Sequence, residues 1–226
     1  MTFDEIITYF EENKNENNIE GMKRFGIFAK KVYGLSAPLI RSIAKKTGKD
    51  HSLALNLWDY GYHDTRILAS LIDKPEFVSR KQMEKWASEF DNWAVCDSTC
   101  GNLFDKVIGA KDIALEWTKR KEEYVKRAGF VIITWMSVHD KKCSDEIFFD
   151  FLNVIYREAN DERKYVMKAV NWSLRQIGKR NPLLQAAAIQ MSKEIYELGS
   201  KPAKWIANDA LRELRNKETR IRNINL

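Results

Sequence analysis

Apolar side chains recur at intervals of three and four along almost the whole chain, as in Ile6, Ile7 and Phe10, or Ile147, Phe148, Phe151, Leu152 and Ile155. That period puts them on one face of a helix, whereas strands would show alternation, and alternation is scarce here. The boundaries are marked as well. Thr2 with Glu5 forms a capping box ahead of Ile6, and the asparagine-rich stretch Asn13–Asn18 ends that first helix. Ser36 and Pro38 start a helix running through Ile43 and Lys46, Pro75 after Asp73 marks a helix entry, and Ser144 caps a helix over Asp145–Tyr156. Pro182 and Pro202 sit where a first-turn proline is tolerated. The pattern predicts an all-α chain of roughly a dozen helices joined by short loops.

A longer period lies over this one. Tyr62, Trp93, Tyr124, Tyr165 and Trp205 each open a similar phrase, an aromatic followed three or four places on by a charge: Arg66, Asp97, Arg127, Lys168 and Asp209. The aromatics are 31, 31, 41 and 40 residues apart. That is the size of a two-helix repeat, so the spacing predicts a stacked helical solenoid with the aromatic-led helix as the second member of each later pair. Second helices of such stacks commonly line the concave face. The expected lining is therefore Arg66, Trp93, Asp97, Arg127, Lys168, Trp172, Arg175 and Trp205. Trp58, Trp86, Trp117 and Trp135 are expected to pack between hairpins.

With 226 residues, four prolines and no Pro/Gly/Ser-rich linker, the chain reads as a single domain over 1–226, its weakly apolar end 216–226 a basic tail that frays. The net charge of +6 is uneven: residues 163–226 hold fourteen Lys/Arg against five Asp/Glu, which leaves about minus three for residues 1–162. A basic half suggests a polyanionic partner, although the same cations also serve simply to solubilise exposed helix faces. No apolar run reaches the ~18–20 residues of a membrane span, and no signal peptide is expected, because the start Met1-Thr2-Phe3-Asp4-Glu5 is acidic and amphipathic. Three cysteines, Cys96, Cys100 and Cys143, cannot all pair, so a cytoplasmic protein with reduced thiols is expected; the expected oligomeric state is a monomer.

Within the aromatic series the tryptophan-led members, which end in Asp97 and Asp209, break the electrostatic pattern. Trp93-Ala94-Val95-Cys96-Asp97 carries an acid where three tyrosine-led members carry cations. Trp93 and Asp97 are i and i+4 and share a helix face, and an Asp91 or Asn92 cap places Asp97 in the second turn. A core indole beside a surface acid is the plain reading. An inward acid instead needs a cation, which Arg127 on the next repeat would supply, and an acid ringed by cations and tryptophans is a candidate for chemistry.

Across about Met22 to Leu214 the chain resembles the DNA alkylation repair enzymes of the AlkD-like DNA glycosylase type. The resemblance rests on Arg24-Phe25-Gly26-Ile27, on Tyr33-Gly34-Leu35-Ser36-Ala37-Pro38 with Arg41, on Asp64-Thr65-Arg66, on Asn92-Trp93 with Cys96-Asp97, and on Lys126-Arg127-Ala128. Its most specific stretch runs from Lys168-Ala169-Val170-Asn171-Trp172-Ser173-Leu174-Arg175 through Gln176-Ile177-Gly178-Lys179-Arg180-Asn181. It implies HEAT-like repeats that cradle duplex DNA and excise cationic N3- and N7-alkylated purines. Asp97 then matches the catalytic aspartate, Arg127 the active-site arginine, and Trp93 and Trp172 the tryptophans that flank the lesion. Arg66, Lys168, Arg175, Lys179, Arg180 and Trp205 would contact DNA. Some relatives have lost the acid and are inactive; this chain keeps it.

Elementary chemistry agrees with that assignment. Alkylation at N3 or N7 makes the purine a cationic leaving group, so no general acid is required. The departing base leaves an oxocarbenium-like sugar, which a carboxylate stabilises while orienting water. Indole faces attract the same cation by ~0.5–2 kcal/mol each. No metal or cofactor is expected: Cys96 and Cys100 lack a third ligand nearby and read as packed thiols, His51, His63 and His139 are isolated as surface or capping residues, and phosphate-binding glycine loops are absent. Lys126, beside Arg127, is imaginable as a lyase nucleophile, but its neighbour's register puts it off the concave face. The rival reading is a non-catalytic HEAT-like module that binds DNA or protein. Binding alone does not call for a carboxylate facing phosphate, and a protein scaffold would predict an apolar or mixed concave face.

Overall fold

A computed structural model describes residues 1–216, so the expected frayed tail lies almost entirely outside the described residues. These form thirteen α-helices and two 3₁₀ turns, with no strand among them. In chain order the helices are α1 (Phe3–Glu12), α2 (Glu16–Arg24), α3 (Ala37–Thr47), α4 (His51–Tyr60), α5 (His63–Ile72), α6 (Arg80–Ser88) and α7 (Trp93–Asn102). They continue as α8 (Ala110–Trp117), α9 (Glu123–His139), α10 (Asp145–Arg157), α11 (Lys164–Gly178), α12 (Pro182–Glu197) and α13 (Lys201–Leu214).

Most boundaries follow the local chemistry read from the sequence. The Thr2–Glu5 capping box is complete, Ser36 accepts from the Leu39 N–H, and Pro182 and Pro202 occupy first-turn positions. Ser144 caps α10 by its backbone conformation, without a side-chain cap bond. Two readings need correction. The asparagine stretch ends α1 but also starts α2, because the Asn15 side chain accepts from the Asn18 N–H. Pro75 opens only a 3₁₀ turn, Pro75–Phe77; the next α-helix waits for Ser79, which accepts from the Gln82 N–H.

The chain divides into two compact units, Met1–Ala110 and Lys111–Leu226. In the first, α4 and α5 form a hairpin about the left-handed Gly61, and α5 lies between α3 and α7. Its core holds Leu57, Trp58, Leu68 and Trp86, with Trp58 and Trp86 stacked at 3.9 Å between centroids. In the second, α11 lies between α9 and α13, while α10 packs on α12. The aromatic-led helices thus stand side by side within each unit, as a two-helix repeat requires. Tyr62, Trp93, Tyr124 and Tyr165 sit at the N-cap or in the first turn of α5, α7, α9 and α11, whereas Trp205 comes a full turn inside α13.

Small and polar residues tie neighbouring helices together. Ser173 of α11 donates to the Phe130 carbonyl of α9 at 2.7 Å, and Asn171 donates to the Ile206 carbonyl of α13 at 3.0 Å. Gly129 has no room for a side chain, since a Cβ there would stand 2.7 Å from the Thr118 nitrogen and 2.8 Å from the Ala114 oxygen. In the first unit, the fully buried Asp73 accepts from His51, Gln82 and its neighbour's N–H at 2.6–2.7 Å. Each interaction replaces water around a buried polar group, which would be costly to leave unpaired.

Candidate functional site

Within the first unit the candidate site is built on α7. Asn92 caps this helix by accepting the Ala94 and Val95 N–H groups at 3.0 and 3.1 Å. That cap makes Trp93 the first helical residue and Asp97 the fifth, so both occupy one face. Val95, Cys96, Thr99 and Cys100 are buried on the opposite side, while Trp93, Ala94, Asp97 and Ser98 are half-buried. The acid therefore stands outside the core, on the indole's side of the helix. The Trp93 indole N–H donates to the Phe25 carbonyl at 3.0 Å, which fixes the ring's plane.

Cys96 and Cys100 are packed thiols: both are fully buried, and burial, followed by the hydrogen bond with Cys96, pushes the Cys100 thiol up. Among the described residues no group of three His, Cys, Asp or Glu side chains is disposed to hold a metal ion, and no helix is long and apolar enough to cross a membrane.

Arg66 is engaged inside its own unit. Its guanidinium donates to the Glu89 carbonyl at 2.9 Å and the Glu89 carboxylate at 3.3 Å, and lies 5.2 Å over the Trp58 ring. Glu89 also accepts the Trp58 indole N–H at 2.7 Å. An arginine with 16% of its side chain exposed and this set of partners clamps α5 to the end of α6, so the expectation of an open phosphate-facing cation does not describe it. His63 corrects another expectation. It is buried rather than superficial, 3.3 Å from the Asn92 amide, and desolvation holds its pKa down.

The second unit carries the remaining residues. Arg127 on α9 is 5% exposed and donates to the Tyr165 carbonyl at 2.6 Å. Trp172 on α11 is half-buried and meets Trp135 edge-to-face at 5.6 Å and 79°. Trp135 itself is only partly buried, unlike Trp58, Trp86 and Trp117, and stacks on His139 at 4.9 Å. It belongs with Trp172 rather than in the interior. Lys168 is exposed and Trp205 is 40% exposed.

Arg175 and Lys179 share the Glu213 carboxylate, and Arg175 also pairs with Asp209 at 3.6 Å. Desolvation lowers the Arg175 pKa despite the opposing charge of Asp209. Arg180 departs furthest from its expected place. It is 6% exposed, donates to the Ser137 and Cys143 carbonyls, and lies 4.3 Å over the Phe148 ring, so it binds α9, α10 and α11 to one another. Its position inside Ile177-Gly178-Lys179-Arg180 gives no hint of this, because helix C-termini and DNA surfaces both favour cations. Lys126 is 8% exposed and ion-paired with Glu158 at 2.6 Å and Asp161 at 2.8 Å.

Comparison with known proteins gives this geometry a family. The model of the DNA alkylation repair enzyme family matches residues 6–214. An uncharacterized protein of Listeria innocua, Lin0241, is 26% identical over 136 residues, 58% of this chain and 61% of the relative. An uncharacterized protein of Listeria monocytogenes, Lmo0209, matches with the same identity and coverage. The matched region thus spans about three-fifths of these relatives' length. A solved structure described as a new family of proteins related to the HEAT-like repeat DNA glycosylases, with affinity for branched DNA structures, superposes with a TM-score of 0.78 at 21% identity, over 86% of this chain and 83% of its own. The fold is therefore of the HEAT-like repeat type, and the chain belongs to the DNA alkylation repair enzyme family.

Proposed function

We propose that the protein is a DNA glycosylase that hydrolyses the N-glycosidic bond of cationic N3- and N7-alkylated purines in duplex DNA, acting as a cytoplasmic monomer without metal or cofactor. The observation that carries this reading is the α7 face, where a half-buried carboxylate stands one turn from a half-buried indole while Val95, Cys96, Thr99 and Cys100 are packed away. Asp97 stabilises the oxocarbenium-like sugar and orients the attacking water. Trp93 offers an indole face to the cationic base; the family resemblance gives Trp172 the same role and gives Arg127, whose guanidinium is anchored on the Tyr165 carbonyl, that of the active-site cation. The affinity of the structural neighbour for branched DNA supports DNA as the polymer. A purely binding module leaves the acid unexplained, because a carboxylate facing phosphate weakens DNA affinity. The test is release of 7-methylguanine and 3-methyladenine from alkylated duplex DNA; intact substrate under conditions of saturating binding rejects the glycosylase reading.

The cations make a separate prediction about binding. Each phosphate contact releases counterions, so log affinity falls with log salt by about 0.9 per contact. Lys168→Ala is expected to shallow that slope by roughly one unit, equally for damaged and undamaged duplex, because phosphate contacts position without specifying. Arg175→Ala is expected to change it less, since Asp209 and Glu213 already offset that charge. Trp172→Ala leaves the slope intact and reduces excision. Fluorescence anisotropy across a salt series measures all three, and an unchanged slope for Lys168→Ala removes α11 from the DNA interface.

A further inference from the structure

Residues 21–49 contain eight Lys/Arg and no Asp/Glu, a concentration hidden when charge is averaged over residues 1–162. Within this segment Phe25 is 74% exposed and Phe28 is 73% exposed. Arg24, Lys30 and Lys31, which flank them, are exposed too. Isolated apolar residues on a surface are ordinary, but two phenylalanines three residues apart among cations are a concentrated feature.

The backbone carrying these rings is fastened along its length. Ile27, between the two phenylalanines, is buried, and its N–H bonds to the Met22 carbonyl at 3.1 Å. Gly26 takes a φ of 78°, which turns the chain off the end of α2. Farther on, the Lys31 carbonyl accepts the His63 N–H at 2.8 Å, and buried Asp64 accepts the Tyr33 and Leu35 N–H groups at 2.7 and 2.8 Å. The Phe25 carbonyl holds the Trp93 indole. A segment tied at all these points cannot turn Phe25 and Phe28 inward together. The apolar crevice beside Phe28, lined by Ile19, Met22, Ile27 and Val32, has about 20 Å³, room for little more than a water. The rings therefore suit a flat partner at the surface rather than a ligand in a cavity.

We propose that Phe25 and Phe28, with Arg24, Lys30 and Lys31, form a binding site for single-stranded DNA, whose unpaired bases stack on the two rings while the cations follow the phosphates. Every base has a π-face, so such a platform tolerates any sequence, and the basic flanks supply the charge complementarity that an apolar protein partner would not require. The hydrogen bond from Trp93 to Phe25 links this platform to the α7 face, so unpaired nucleotides bind beside Trp93. The inference takes only its polymer, DNA, from that function, and its test does not depend on catalysis.

Anisotropy with three labelled probes decides it: a short single-stranded oligonucleotide, a perfectly paired duplex, and a fully paired four-way junction. The paired Phe25→Ala and Phe28→Ala substitution is expected to weaken single-strand binding by at least ~10-fold and leave both paired probes within about twofold. Phe28→Leu, which keeps bulk and hydrophobicity but removes the ring, should lower single-strand affinity, and Phe28→Trp should preserve it. Lys30→Ala should shallow the single-strand salt slope, which the aromatic changes leave alone. Thermal midpoints of the variants should match the wild type, because both rings face solvent. Equal losses on all three probes, no loss at all, or a change in self-association without a change in DNA binding would overturn the site. Absence of purine release would reject the glycosylase while leaving this result standing.

Discussion

Asp97→Asn is expected to fold normally, bind alkylated duplex with wild-type affinity, and release methylated purine at least ~10²-fold more slowly, a loss of ~2.7 kcal/mol in transition-state stabilisation. Asn92, not Asp97, satisfies the helix N-terminus, and Val95, Cys96, Thr99 and Cys100, not Asp97, fill the interior. The amide keeps the size and much of the hydrogen bonding of the acid but cannot carry the negative charge that the sugar cation demands. Asn92→Ala serves as the complementary variant, expected to lose ~1 kcal/mol of stability through the missing cap. Single-turnover release of 7-methylguanine, with affinity measured in parallel, makes the distinction, and undiminished release by Asp97→Asn rejects the carboxylate's role.

Much of the architecture was legible because its causes are local. Helix period, the Thr2–Glu5 box, the Ser36 cap and the prolines at 182 and 202 act within a single turn, so a linear reading finds them. The aromatic-led series was legible for a related reason: each repeat buries the same face against its neighbour, so the pattern returns at the length of the repeat. Pro75 misled because a proline permits a helix start without specifying how far the helix runs, and the Ser79 cap lay four residues on.

The candidate site was legible only where the backbone alone sets it. Asn92 fixes α7, and α7 fixes Trp93 and Asp97 on one face. Cations were another matter, because a long side chain can reach phosphate, a carboxylate or a buried carbonyl from the same helical position. Arg66 went to Glu89, Arg180 to the Ser137 and Cys143 carbonyls, and Arg175 to Asp209 and Glu213; only Lys168 stayed open as its register suggested. The acids that claimed these arginines lie 23 to 38 residues away, beyond any local pattern. Phe25 lies in the Arg24-Phe25-Gly26-Ile27 motif and Phe28 just beyond it, but a motif does not display exposure; the signal in the sequence is the run of eight cations without an acid over residues 21–49.

Lys126→Met is expected to be the most destabilising of these substitutions, although it removes a residue adjacent to Arg127 and no chemistry. Only 9% of the Lys126 side chain is exposed, and its ammonium lies between Glu158 at 2.6 Å and Asp161 at 2.8 Å, themselves 16% and 8% exposed. Removing one partner of a buried pair leaves uncompensated charge, which puts the loss at ~3 kcal/mol, the lower end for such breaks because Arg157 and Arg163 still reach the two acids. In a chain of this size that lowers the thermal midpoint by about 6–12 °C. The pH dependence identifies the cause. Desolvation alone would raise the Asp161 pKa, but hydrogen bonds from Arg163 and Lys126 outweigh it and hold the carboxyl at about 2; Glu158 is likewise lowered, against its own desolvation, by Arg157 and Lys126. Depressed carboxyl pKa values give stability that is present in full above the unfolded values near 4 and is lost as pH falls toward 2. The gap between wild type and Lys126→Met should therefore be widest above about pH 5 and close progressively below pH 4. Denaturant unfolding across that range measures it. A gap that stays constant with pH would show that the lysine's aliphatic stem, and not its charge, stabilises the fold.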